Sequence, residues 1–81
     1  MRDDARAQLR WRCRRGMKEL DVLLAGWLDR CWPEADEARR REFAWLLEQP
    51  DPDLADWLIG GARPAGQARA ALVDEILRRP A

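Results

Sequence analysis

The stretch Leu20-Asp21-Val22-Leu23-Leu24-Ala25-Gly26-Trp27-Leu28-Asp29-Arg30-Cys31 decides the fold. Its apolar residues Leu20, Leu23, Leu24, Trp27, Leu28 and Cys31 recur at i, i+3, i+4, i+7, i+8 and i+11, the period of one buried helix face. A strand would alternate every second residue, which this run does not. The spacing predicts a helix from about Met17 to Trp32, ended by Pro33, because the residue before a proline is driven out of the helical region.

Working outward, a first helix is expected from about Asp3 to Arg14. Acids stand in its first turn and arginines in its last, as the helix dipole favours, and Ala5, Leu9 and Cys13 share a face. Gly16 follows as a candidate C′ residue, able to take positive φ. A third helix starts near Glu34 to Asp36 and runs to Glu48 with Phe43, Leu46 and Leu47 inside, its Arg39-Arg40-Arg41 run reading as a solvated face. Asp51 and Asp53 read as capping residues of a short fourth helix, with Pro52 at its first position and Leu54, Trp57 and Leu58 inside. Gly60-Gly61 stops it. A fifth helix opens near Pro64, carries Ala68, Leu72, Val73, Ile76 and Leu77, and ends around Arg79-Pro80. Trp27, Trp45 and Trp57 are expected in the core. The reading is all-α: a compact five-helix bundle, a single small domain over residues 1–81.

Composition agrees. The only β-branched residues are Val22, Ile59, Val73 and Ile76, too few to build a sheet. The chain is 37% charged, but 47% apolar content is too much for a disordered polyelectrolyte. It contains no Ser, Thr, Asn, His or Tyr, which excludes Ser-His and Cys-His catalysis within the chain and imidazole metal ligation. No enzyme, catalytic residue, cofactor-binding residue or metal site is expected. The longest apolar run falls far short of the roughly 20 residues of a membrane span, so no membrane insertion is expected. Without a hydrophobic leader near Met1, a cytoplasmic bacterial protein is expected, with Cys13 and Cys31 as reduced thiols. In a helical hairpin those two cysteines lie near opposite ends, beyond disulfide reach. Cys31, on the Leu20–Leu28 face, is expected to be a buried small hydrophobe.

Charge sums to zero but is segregated. Residues 1–19 hold seven basic and three acidic side chains, and residues 20–62 hold four basic and ten acidic ones. A basic first helix could track phosphates. No zinc-finger spacing and no RNA-binding aromatic pattern accompanies it, and an ordinary solvated face is the simpler reading.

Two readings meet at Arg14-Arg15-Gly16-Met17-Lys18-Glu19-Leu20-Asp21. In the structural one, Gly16 caps the first helix, Arg15 answers that helix's carbonyls, and Glu19 favours the second helix through its dipole. In the functional one, the side-chain-free Gly16 exposes backbone to a partner between the charges of Arg15 and Glu19. Trp11 reads either as an apolar anchor of such a contact or as partly buried between helices, and Met17 either as an anchor or as core packing. Arg10 and Arg14 would steer a partner by charge.

The string Trp11-Arg12-Cys13-Arg14-Arg15-Gly16-Met17-Lys18-Glu19-Leu20-Asp21 resembles the signature of the succinate dehydrogenase flavinylation factors, bacterial FAD assembly factors. Their Arg-Gly-x-x-Glu motif falls on Arg15, Gly16 and Glu19. Their Asp-x-Asp-Leu-x-x-Trp pattern is matched by Asp51, Asp53, Leu54 and Trp57, preceded by Leu46-Leu47-Glu48. The resemblance covers about Arg6 to Ile59 and implies a small five-helix protein. It further implies an assembly factor and chaperone that binds the flavoprotein subunit of succinate dehydrogenase, and of the related fumarate reductase, and promotes covalent attachment of FAD to it. The partner-binding residues so implied are Arg15, Gly16 and Glu19, to which Met17, Trp11, Arg14 and Arg10 are added on the grounds above. No nucleic acid partner is expected, and a monomer is. The competing functions are an antitoxin-type protein-interaction module and a small basic-helix nucleic-acid binder.

Overall fold

The computed structural model describes residues 2–78, with side chains from residue 7 onward. The first-turn acids Asp3 and Asp4, Ala5 as a side chain, and the chain beyond Arg78 therefore lie outside the described residues. Five helices follow in order: α1 (Arg2–Arg12), α2 (Lys18–Arg30), α3 (Glu37–Leu47), α4 (Asp51–Leu58) and α5 (Gln67–Leu77), with a 3₁₀ turn at Trp32–Glu34 between α2 and α3. None is long and apolar enough to cross a membrane among the described residues.

The α2 stripe lies at the centre. Leu20, Leu24, Trp27 and Leu28 are fully buried and Leu23 nearly so, and α2 packs against α1, α4, α5 and the 3₁₀ turn. Cys31 is only half-buried, because α2 ends at Arg30 and Cys31 passes the chain into the 3₁₀ turn. Cys13 is the buried thiol instead. Trp27 stacks on Phe43 of α3, with centroids 4.4 Å apart and planes 21° from parallel, and Trp32 meets both rings edge-on. Such aromatic pairs add to area burial about 0.5–1.5 kcal/mol each. Leu46, Leu54, Val73 and Ile76 close the core from α3, α4 and α5.

Several local expectations change. The Arg39-Arg40-Arg41 run is not one solvated face, since successive residues are turned by about 100° around a helix. Arg39, exposed, pairs with Glu75 of α5, and Arg41, also exposed, lies beside Glu37 at 3.9 Å, so it is Arg40 that leaves the solvated face. Arg40 donates from Nε and Nη2 to the Trp32 carbonyl at 3.1 and 2.8 Å and lies over the Trp32 ring. Trp45 and Trp57 stack on each other at the rim of the core, half-buried, with Arg69 3.7 Å above Trp45. The fifth helix begins at Gln67 rather than near Pro64, because Gly66 sits at φ +100, a conformation no helix contains. Asp36, not Asp51, is the carboxylate that caps: it accepts from the Arg39 N–H at 2.9 Å at the start of α3. Pro50 is the N-cap of α4, and Asp51 and Asp53 occupy its first turn.

Candidate functional site

The corner between α1 and α2 is built from a helix that ends early. After Arg12 the chain tightens: the Cys13 N–H reaches the carbonyls of Leu9 and Arg10, and the Arg14 N–H that of Trp11, all at 3.1 Å. Gly16 stands at φ +82. It is therefore not the C′ residue of α1, which has already ended, but the point where the chain reverses into α2. Met17 is the N-cap in extended conformation, and its carbonyl accepts the Asp21 N–H at 2.9 Å. Glu19 and Asp21 lie in the first turn of α2, where the dipole favours negative charge. A Cβ placed on Gly16 would meet nothing within 4 Å, so the space in front of the glycine is open.

Arg15 does not answer the carbonyls of α1. Its guanidinium crosses to the junction of α3 and α4, where it donates to the Leu47 carbonyl, to the Gln49 carbonyl at 3.3 Å and to Asp51 Oδ1 at 3.0 Å. The last turn of α3 has no basic residue of its own, and Arg15 supplies that cation from another part of the chain. At the other end of the same residue, the Arg15 backbone N–H donates to Asp21 Oδ1 at 2.8 Å. Arg15 therefore serves the dipole of α3 rather than that of α1, the helix expected from its place in sequence.

The remaining residues of the motif face outward. Glu19 and Lys18 are exposed, Met17 is 38% exposed and Trp11 is 70% exposed, so Trp11 is not held between helices and Met17 is not core. The Arg14 guanidinium lies over the Trp11 ring at 5.2 Å, which keeps a cation and a large apolar surface together. Arg10 pairs with Asp29 across the two helices. Between α1 and α2 runs an open depression walled by Arg10, Arg14 and Gly16 on one side and by Asp21, Val22 and Ala25 on the other. Cys13 lies at its floor; burial pushes the thiol up to about 11, against the pull of the nearby Arg15 and Arg10.

Val22 joins the exposed residues there: it is 52% exposed on the rim of this depression, and like Ala25 it is an apolar residue of α2 that falls off the Leu20–Leu28 stripe, a signal present in the sequence. The corner thus presents an open backbone at Gly16, a carboxylate at Glu19, a cation on an indole at Arg14 and Trp11, and apolar surface at Met17 and Val22. Such a mixture of exposed charged and large apolar groups is what protein–protein interfaces use.

The family described as "Flavinator of succinate dehydrogenase" (Sdh5) matches residues 7–80. The chain is 43% identical over 74 residues to the FAD assembly factor SdhE of Photobacterium profundum, covering 91% of this chain and 84% of that protein. It is 45% identical over 71 residues to the FAD assembly factor SdhE of Methylococcus capsulatus, covering 88% and 86% of the two chains. The Coxiella burnetii protein of the same name is 38% identical over 72 residues, covering 89% and 88%. With the match running through the corner and through every helix, the chain belongs to the succinate dehydrogenase flavinator family.

Proposed function

We infer that this chain binds the flavoprotein subunit of succinate dehydrogenase and promotes covalent attachment of FAD to it, docking through the α1–α2 corner. The observation that carries this reading is the open Gly16, held at φ +82 beside the exposed Glu19 and Met17, in a chain of this family. Gly16, Met17, Glu19, Trp11 and Arg14 make the contact, Arg10 adds charge at its edge, and Arg15 backs it. The chain acts as a helper rather than a catalyst, since the bond-forming chemistry belongs to the flavin and to the client. It works by binding one client conformation more tightly than others, which raises the population able to react. Asp29 offsets the charge of Arg10, which lowers the positive charge the first helix offers a phosphate backbone.

The test is co-expression with the flavoprotein subunit, reading protein-bound flavin fluorescence after denaturing electrophoresis. Flavin attachment that rises with this chain supports the reading; attachment indifferent to its presence refutes it. The flavoprotein subunit of fumarate reductase is the second client to be put through the same assay.

A further inference from the structure

The two motifs singled out in the sequence, Arg15-Gly16-x-x-Glu19 and Asp51-x-Asp53-Leu54-x-x-Trp57, meet in space through one side chain. Arg15 reaches Asp51 Oδ1 at 3.0 Å and the carbonyls of Leu47 and Gln49 that precede it. Its side chain is 14% exposed, against 41% for Asp51. A guanidinium so placed is spent on the fold and offers little surface to a partner. Its planar fork suits this task, because several acceptors can be met at once with little loss of freedom per bond. The backbone N–H of the same residue is tied to Asp21 Oδ1, so Arg15 is fixed to α2 at one end and to the α3–α4 junction at the other. Gly16 is the next residue, and its open φ +82 turn has no side chain to brace it.

We propose that Arg15 and Asp51 are positioning residues: together they bolt the α1–α2 corner onto the α3–α4 junction, so that Gly16 and Glu19 meet the client in one fixed orientation. The proposal rests on the docking function inferred above, and gives the second motif a role in it. Asp51 matters to the client through Arg15, not by touching the client. If releasing the bolt left the corner in its docking arrangement about a tenth of the time, the apparent dissociation constant would rise about tenfold.

The experiment compares Arg15→Ala, Asp51→Ala and the double variant, each confirmed folded by its melting curve at the assay temperature. One arm titrates purified flavoprotein subunit without covalent flavin. Arg15→Ala is expected to bind about tenfold more weakly. Asp51→Ala is expected to bind less tightly than wild type but by a smaller factor, because the Leu47 and Gln49 carbonyls still hold Arg15. The double variant should bind no more weakly than Arg15→Ala, since the two changes break one unit. The second arm needs no client: amide exchange of the free protein by NMR. In Asp51→Ala the Arg15 amide keeps its bond to Asp21 Oδ1, but the loosened corner opens more often, so this amide is expected to exchange about tenfold faster while the Leu28 amide in the core stays as in wild type. Wild-type affinity in Asp51→Ala beside a loss in Arg15→Ala takes Asp51 out of the bolt and overturns the proposal. Additive losses place both residues at the client surface and overturn it too. Unchanged exchange at Arg15 overturns it whatever the client does. Should wild type fail to bind the flavoprotein subunit at all, the docking function falls, and the exchange arm still decides whether the bolt exists. Asp51→Ala, which leaves the buried Arg15 carbons in place, keeps the test open if Arg15→Ala does not fold.

Discussion

Trp27 Nε1 donates to Glu75 Oε1 at 2.8 Å, so the indole at the centre of the core is answered by a carboxylate from α5. Glu75 also pairs with Arg39 of α3, and three helices are thereby joined at one side chain. Burial pushes the Glu75 carboxyl up, but the hydrogen bonds from Trp27 and Arg39 and the charge of Arg39 outweigh it and hold it below its ordinary value of 4.5. A group depressed in the folded state stabilises the fold fully above its unfolded value and loses that contribution as pH falls through its folded value. Glu75→Gln is expected to lower stability at neutral pH by about 1 kcal/mol, with the amide still accepting from Trp27. The variant's melting temperature should also fall less steeply below pH 4.5 than that of wild type. Parallel pH profiles for the two proteins would show that Glu75 carries none of the acid sensitivity.

The thiols should separate by reactivity. Cys13 is buried and its thiol is pushed up to about 11, so almost none is thiolate at neutral pH. Cys31 is raised as well, mainly by burial, but is half-exposed. Titration of the native protein with a thiol reagent is expected to label Cys31 first and Cys13 only on unfolding. Equal rates at the two positions, resolved by peptide mass, would contradict the placement of Cys13 at the floor of the corner.

Two neighbours on α2 should behave oppositely. Leu24 is fully buried, and Leu24→Ala is expected to cost about 2–5 kcal/mol, a large part of the stability of so small a domain. Val22 is half-exposed on the rim of the depression between α1 and α2, and Val22→Ala should change stability by no more than about 0.5 kcal/mol. Val22→Asp, on the same exposed position, should instead weaken client binding in the titration while the melting curve stays near wild type. Wild-type affinity of Val22→Asp would remove Val22 from the contact.

What sequence could show followed from periodicity. Leu20 through Leu28 marked the central helix and Gly60-Gly61 the end of α4, whereas the corner around Gly16 stood out through its motif rather than through periodicity. What it could not show were bonds between residues far apart in the chain. The tie from Arg15 to Leu47, Gln49 and Asp51 spans more than thirty positions, and no local rule distinguishes it from a bond to the nearer α1 carbonyls. The same holds for Arg39 and Arg40, where a run of like residues suggested one face although each is turned to a different partner. Cys31 is only half-buried because the apolar period runs one residue past Arg30, where the helix stops. Exposure of Trp11 was undecided in sequence, since a lone indole near a helix end serves a core or a contact equally well.

The central claim is that Gly16 is open because a partner docks there, and covalent flavin on the client measures it most directly. Any side chain at φ +82 is strained, by about 1–2 kcal/mol, and a Cβ there meets no neighbour, so Gly16→Ala and Gly16→Arg should lower the melting temperature by the same amount. Their effects on function should differ, because only arginine fills the space the client needs. Co-expressed with the flavoprotein subunit, Gly16→Ala is expected to keep most of the bound flavin fluorescence and Gly16→Arg to lose it. Folded Gly16→Arg protein supporting wild-type flavin attachment would contradict the account.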